Sequence, residues 1–487
     1  MELHIQFVPG GVCAPLGFKA SGIRCGIRRG KTKKDLALIV SQAPSSAAAI
    51  YTTNLVQAAP IFVTRENLSD GCARALICNS GIANTAVSDG VEKARGMCAI
   101  TAAALGIEPC DVIVASTGVI GQSLNLEPIE QGITQLVAEL SPEGGSLAAE
   151  AIMTTDTVKK EAAVTFDVGG RPVTIGGICK GSGMINPNMA TMLAFLTTDA
   201  DIAPELLAKM LKEAADASFN RVSVDGDTST NDMLSIMANG MSGVRIVDSG
   251  QWTVDSEADE TTNYKLQITN TDGHAKEPVG GGPLDAPHQT ANTCDGGAPN
   301  RSPPTGNNKP NPSAIPNSSF LIPNLVPASS NSYEKFQFAL NALCMHLAKM
   351  LAKDGEGATK LVECNVCGAP DIEAARKAAD AVINSPLVKT ALFGCDANWG
   401  RILCAVGYAG AALDISKISI AFVSAAGKIL VCKNGAGFEF SEEKALEILK
   451  CNEITVEVHL NQGGFAASAW GCDLSYDYVK INGDYRS

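Results

Sequence analysis

Between residues 248 and 332 the sequence loses every hydrophobic period, and this interruption sets what the remainder can build. Pro, Gly, Asn and Ser dominate the stretch, and about half of the chain's 23 prolines fall between Pro278 and Pro327. A segment of roughly 80 residues without an amphipathic repeat buries too little apolar surface to offset the entropy of ordering it. It reads as a disordered low-complexity insertion, with at most one edge strand at 264–270 and no catalytic role. Folding is then left to the sequence before 248 and the sequence from 333 to 487, each long enough for a core of its own.

Both parts alternate short apolar runs with amphipathic repeats. Buried strands are expected at 35–40, 75–78 and 111–115. A hairpin is expected across 163–176, turning at Gly169-Gly170. Helical spacing runs from 90 to 105 and stops at Gly106, and Ala203-Pro204-Glu205 opens another helix. Further helices are expected at 148–153, 336–352, 372–383 and 442–449. The class is α/β: layered, with two domains whose sheets are flanked by helices.

Hydrophobic residues make up 45% of the chain and charged residues 18%, a globular balance. The net charge of −13 argues against nucleic acid or an anionic membrane as the main partner, while leaving room for anionic substrates at a local positive site. The 16 cysteines are spread singly, mostly in apolar runs, as in a reducing, cytoplasmic setting; no transit peptide is visible, and an organelle is not excluded. Cys364 and Cys367 form a C-x-x-C inside an alternating strand pattern, with no second pair to complete a metal site. The five histidines lie away from glycine-rich turns, which makes a Ser-His-Asp or Cys-His enzyme awkward to build. A nucleophile that brings its own base suits this composition better.

One junction supplies such a nucleophile. Lys180-Gly181-Ser182-Gly183-Met184-Ile185-Asn186-Pro187-Asn188-Met189-Ala190-Thr191-Met192-Leu193 is a glycine-rich turn leading into an apolar run. Thr191 can attack the carbonyl of Ala190, and an N-to-O acyl shift with hydrolysis then cuts the chain between them. The freed Thr191 carries a hydroxyl and an α-amine whose ordinary pKa is about 7.7–8.0, so it can serve as its own base. Taken on spacing alone, a plain threonine opening a core strand is the blander alternative. Gly181 follows Lys180 where a nucleotide-binding P-loop needs Ser or Thr, which removes that reading.

The run from Lys180 to Leu193 resembles the signature of the ornithine acetyltransferase family, and matching segments extend over nearly the whole chain outside the insertion. The resemblance implies an ornithine acetyltransferase/aminopeptidase-like N-terminal-nucleophile fold, self-cleaved into an α chain of 1–190 and a β chain of 191–487 that assemble as an α2β2 heterotetramer. It implies an acyltransferase moving acetyl from N2-acetyl-L-ornithine to L-glutamate in arginine biosynthesis through acetyl-Thr191. No cofactor is implied, and acetyl-CoA is an open second donor. Thr117 and Gly118 take the oxyanion-hole role. Thr155, Lys180, Glu356, Asn482 and Ser487 take substrate contacts, with Ser487 replacing the usual Thr.

One departure, two site-adjacent residues, one turn and one alternative accompany this reading. Ile82 stands where the family usually has an amide. Asn398 and Arg401 match closely but are only site-adjacent candidates, and 225–232 reads as a structured turn near the site. An N-terminal-nucleophile amidohydrolase or aminopeptidase, with water as acceptor, would share the self-cleavage.

Overall fold

The computed structural model describes residues 4–28, 32–186, 192–248 and 331–484. The first part of the chain supplies β1 (Ile5–Val8), β2 (Phe18–Ile23), β3 (Leu36–Tyr51), β4 (Cys72–Ile82), β5 (Val112–Val119), β6 (Lys160–Val168), β7 (Arg171–Lys180) and β8 (Leu193–Thr198). There follow β9 (Asp201–Ile202), β10 (Val222–Ser223), β11 (Met233–Ala238) and β12 (Arg245–Ile246). The C-terminal part adds β13 (Leu361–Ala369), β14 (Ser419–Ser424), β15 (Gly427–Lys433), β16 (Ala436–Gly437), β17 (Glu453–His459) and β18 (Phe465–Cys472). The expected α/β class with two helix-flanked sheets is what forms.

The first sheet runs β1-β6-β7-β8-β11-β3-β4-β5, with β2 also paired to β3. Its pairing is mixed: β8 lies antiparallel to β7 and parallel to β11, and β4 is parallel to β5. The β6–β7 hairpin turns at Gly169 and Gly170, both in the left-handed region at φ 65° and 84°. That is the primed-turn geometry whose twist suits a tight hairpin.

β8 reads as an uninterrupted apolar run because both of its faces are covered. Leu193 and Phe195 face one core with Ile39, Leu76 and Ile113, while Ala194 and Leu196 face another with Leu207 and Leu211. The helix Gly90–Leu105 ends on Gly106 at φ 68°, as its sequence predicts. With Glu127–Ala138 it covers the outer end of the sheet over Leu38, Ile77 and Val114.

The second sheet runs β10-β18-β13-β17-β14-β15-β16. Its separate core joins Val362 and Val456 to Ala375, Val382 and Ile448 of the helices Ile372–Asn384 and Glu442–Leu449. The helix Ser332–Lys353 starts earlier than the periodicity suggests, because the Asn331 side chain caps it by accepting from the Glu334 N–H. This helix shares a core with β6 and β7 of the first sheet and with Trp470 and Cys472 of β18. It therefore joins the two sheets rather than belonging to the second alone. Cys364 and Cys367 lie three apart on β13, on opposite faces; Cys364 is in the core and Cys367 Sγ sits 2.9 Å from His459 Nδ1. Among the described residues no helix is long and apolar enough to cross a membrane.

Candidate active site

The site begins where two parallel strands end. β4 and β5 are in register at Gly81 and Gly118, whose φ angles are 105° and 134°. A Cβ on Gly118 would stand 2.2 Å from the Gly81 carbonyl carbon, so the strands approach this closely only because Gly118 has no side chain. Thr117, buried, and Gly118 line one wall of a cavity of about 240 Å³.

Lys180 forms a second wall. It is the last residue of β7 and pairs across the ladder with Leu193, two residues after Thr191 in the chain. Its side chain is buried, and Nζ lies 3.5 Å from Thr117 Oγ1. Burial pushes the amine below lysine's ordinary pKa, and the neighbouring Asp156 carboxylate offsets part of that shift.

Asp156, which the sequence did not single out, organises three loops. Its Oδ1 accepts from the Gly181 N–H at 2.7 Å and from Lys160 Nζ at 2.7 Å, and its Oδ2 accepts from the Thr154 N–H at 2.9 Å. Lys160, buried, donates also to Asp354 Oδ2 at 2.5 Å. Asp354 in turn accepts from the Thr157 N–H at 3.1 Å and from its hydroxyl. Burial works against charge on Asp156, but Lys180 and Lys160 outweigh it and hold the carboxyl well below the usual range. Burial likewise opposes charge on Lys160, and the two carboxylates outweigh it and raise the amine. This buried cation between two carboxylates ties the Thr154-Thr155 turn and the Lys180 strand end to the chain just before Glu356.

Glu356 enters from the third wall. Its N–H donates to the Ser182 carbonyl at 2.7 Å, and its carboxylate lies over Gly183, where a Cβ would meet Oε2 at 2.5 Å. Thr155 Oγ1 and Ser182 Oγ are 2.7 Å apart, which fixes the facing hydroxyl turn. The helix Tyr476–Gly483 lies across the opening, and Asn482 Nδ2 donates to Glu356 Oε2 at 2.7 Å. Thr117, Gly118, Thr155, Lys180, Glu356 and Asn482, all singled out from the sequence, line this one cavity.

The 225–232 segment is the structured turn expected, and it does more than cap. Asp225 accepts from the N–H groups of Met184 and Ile185 at 2.6 and 2.8 Å, holding Met184 in the left-handed region at φ 57°. Asn231, which the sequence did not distinguish, uses its whole amide. Nδ2 donates to the carbonyls of Ala83 and Ser116, at 2.7 and 2.8 Å, and Oδ1 accepts from the hydroxyls of Thr85 and Thr230, at 2.8 and 2.6 Å. Thr52 and Asn54 donate to the carbonyls of Ser229 and Thr228 at 2.6 and 2.8 Å. The signal available was a polar run, Thr228 to Asp232, placed between two apolar strands.

Ala190, Thr191 and Ser487 lie outside the described residues, as does most of the 248–332 stretch with its expected edge strand. The residue after Thr191 is placed: Met192 is buried, and its N–H donates to Asp232 Oδ1 at 2.8 Å. Ile82 lies on the outer side of the strand end, away from this cavity. Asn398 and Arg401 are not on the cavity. Asn398 caps the helix Trp399–Gly407 by accepting from the Arg401 N–H, and Arg401 Nη1 donates to the Leu387 carbonyl at 2.9 Å. Among the described residues no cluster of His, Cys, Asp or Glu is placed to hold a metal.

The described walls thus bring a glycine strand end, one buried ammonium and one carboxylate to a single cavity. The chain matches the ArgJ family model over residues 19–270 and 316–487. It is 42% identical to the arginine biosynthesis bifunctional protein ArgJ of Symbiobacterium thermophilum over 99% of this chain and all of that protein. It is 40% identical to the ArgJ of Bacillus subtilis over all of this chain and 99% of that one. A crystal structure of ArgJ from Bacillus halodurans aligns at 44% identity, covering 39% of this chain and 100% of that one, with a TM-score of 0.37. The chain belongs to the ArgJ family, the bifunctional acetyltransferases of arginine biosynthesis.

Proposed function

We propose that this cavity carries acetyl from N2-acetyl-L-ornithine to L-glutamate through an ester on Thr191, with acetyl-CoA as a second donor. The observation that carries the reading is the convergence of six side chains and backbone positions, from five separate stretches of chain, onto a cavity of about 240 Å³ beside the β7–β8 junction. Lys180 binds the α-carboxylate that ornithine and glutamate share. Glu356, held by Asn482, pairs with the ornithine side-chain ammonium. Backbone donors at Thr117 and Gly118 meet the oxyanion of each tetrahedral intermediate, where one lost donor typically costs about 10²–10³ in rate. Thr155 contacts the substrate from the facing turn, and Ser487 closes it from the tail.

Thr191 gains its amine by self-cleavage after Ala190. Its hydroxyl attacks the acetyl carbonyl, the C–N bond breaks, and the proton leaves with ornithine. Glutamate's neutral α-amine then attacks the ester, returning a proton to the Thr191 oxygen. Two half-reactions through one covalent ester give ping-pong kinetics. The products of cleavage, 1–190 and 191–487, assemble as α2β2. The fifteen cysteines among the described residues are all free, which suits a reducing cytoplasm.

The test joins a denaturing gel to an assay. The wild type should run as two polypeptides and consume acetylornithine only when glutamate is present. Thr191→Ala should run as one and lose transfer. Acetylornithine loss at the same rate without glutamate would make the chain a hydrolase instead, and a Thr191→Ala protein that still cleaves or transfers would end the proposal.

A further inference from the structure

Acyl transfer on Thr191 needs two parts of the first sheet held at a fixed separation: the donors at Thr117 and Gly118, and the strand that follows the nucleophile. The donors end β5, and the nucleophile leads into β8, with β11, β3 and β4 between them in the sheet. Strand pairing by itself does not set that separation.

The start of β11 makes the link. Asn231 and Asp232 are adjacent, buried, and reach in different directions. Asn231 Nδ2 donates to the Ser116 carbonyl, one residue before Thr117, at 2.8 Å, and to the Ala83 carbonyl, just past β4, at 2.7 Å. Asp232 Oδ1 accepts from the Met192 N–H at 2.8 Å, and the Met192 carbonyl accepts from the Met233 N–H at 3.1 Å. Met192 N is the nitrogen of the Thr191–Met192 peptide bond, so 232–233 hold both backbone polar groups of the residue after the nucleophile. The Asp232 carbonyl accepts from the Thr52 N–H at 3.1 Å, which anchors the pair to the end of β3.

Asn231 also borders the cavity, so a substrate contact is the competing explanation. An amide side chain has two donor hydrogens and two acceptor lone pairs. The carbonyls of Ala83 and Ser116 take both donors, and the hydroxyls of Thr85 and Thr230 take both lone pairs. The amide is spent on the protein itself.

We propose that Asn231 and Asp232 are the positioning residues of the acyl-transfer site: Asn231 holds the oxyanion strand, Asp232 holds the strand of the nucleophile, and their shared peptide bond sets one against the other. The proposal rests on the acetyl-Thr191 reading above. Oxyanion donors work only within hydrogen-bond distance of the developing charge, and a displacement of ~1 Å can cost about 10²-fold in rate. Lys180, Glu356 and Asn482 reach the cavity from other walls, so losing the Asn231 brace acts on kcat rather than on KM.

The experiment follows self-cleavage of the precursor and transfer from acetylornithine to glutamate. Active sites are counted by mass spectrometry of the acetylated 191–487 polypeptide, so unfolded protein does not enter kcat. Asn231→Ala should lower kcat per site about 10²-fold with KM for both substrates unchanged, and should slow self-cleavage as well. Thr85→Val, which takes one hydroxyl from the amide and nearly keeps the shape, covers an Asn231→Ala chain that does not fold; it should lower kcat less, again at constant KM. Asp232→Asn keeps an oxygen for the Met192 N–H and should retain most of the kcat that Asp232→Ala loses. Asp232 also adds negative charge near Lys180, so these two variants share any change in KM and are compared by kcat. Wild-type kcat per site in Asn231→Ala overturns the proposal, as does a loss confined to KM or an equal kcat loss in Asp232→Asn and Asp232→Ala. A wild type that never acetylates Thr191 overturns the reading beneath it.

Discussion

Lys180 is buried, so the hold on a substrate carboxylate proposed for it should depend on pH. Burial favours the neutral amine, so the charged form is lost on rising pH sooner than for an ordinary lysine, whose pKa is about 10.4. KM for glutamate should therefore rise with pH below that ordinary value. Lys180→Arg, which keeps its charge, should flatten the rise at the expense of a lower kcat, and an unchanged KM profile in that variant would remove Lys180 from the carboxylate. The position of Lys180 was legible in the sequence, as a lone cation on a glycine turn beside a candidate nucleophile. Its neighbour Asp156 was not, because the groups that give Asp156 its role are an amide 25 residues on and a lysine shared with Asp354, itself 194 residues from that lysine.

At the scale of elements, the Asp156–Lys160–Asp354 cluster joins the β6 strand start, the β7 end and the turn after the long helix. Lys160→Met would take the bridging ammonium from two buried carboxylates, leaving Asp156 only the field of Lys180. Losing one partner of such a buried group costs about 3–5 kcal/mol, visible as a large fall in Tm. The pH dependence follows from the two shifts. Asp156 is held below its unfolded value, so its contribution is present above the ordinary carboxylate range and lost as pH falls through its folded pKa. Lys160 is raised, so its contribution is full below lysine's ordinary value and lost as pH rises past the folded one. Between those limits the cluster is intact. The Tm gap between wild type and Lys160→Met should thus be widest near neutrality and narrow in acid, where protonation relieves the stranded carboxylates. A gap that does not change with pH would deny the cluster its electrostatic role.

For the molecule as a whole, the long aperiodic stretch begins and ends in one place. The Val247 N–H donates to the Ser332 hydroxyl at 3.2 Å, and the family match resumes at 316 after stopping at 270. Loop-closure entropy grows only slowly with length, so shortening a loop whose ends already meet changes stability little. Excising 271–315 should leave cleavage, transfer rate and Tm close to those of the full chain, and a dead or unprocessed product would give the stretch a role in the fold. β7 and β8 pair from Ile175↔Thr198 to Lys180↔Leu193, across the proposed cut. The two polypeptides should accordingly co-purify until denaturant is added.

Local features settled the elements. Apolar runs, the Gly169-Gly170 turn and the Gly106 stop each act within a few residues, and the structure keeps them where the sequence put them. The ladder between Lys180 and Leu193 joins stretches close in sequence, so the β7–β8 junction was readable too. Tertiary structure alone decided the placing of the Ser332–Lys353 helix in the first sheet's core, the cation cluster that aligns three loops and the Asn231 brace. Each of these depends on groups brought together from distant parts of the chain, and a sequence period carries no information about which distant side chain will satisfy a buried charge or amide.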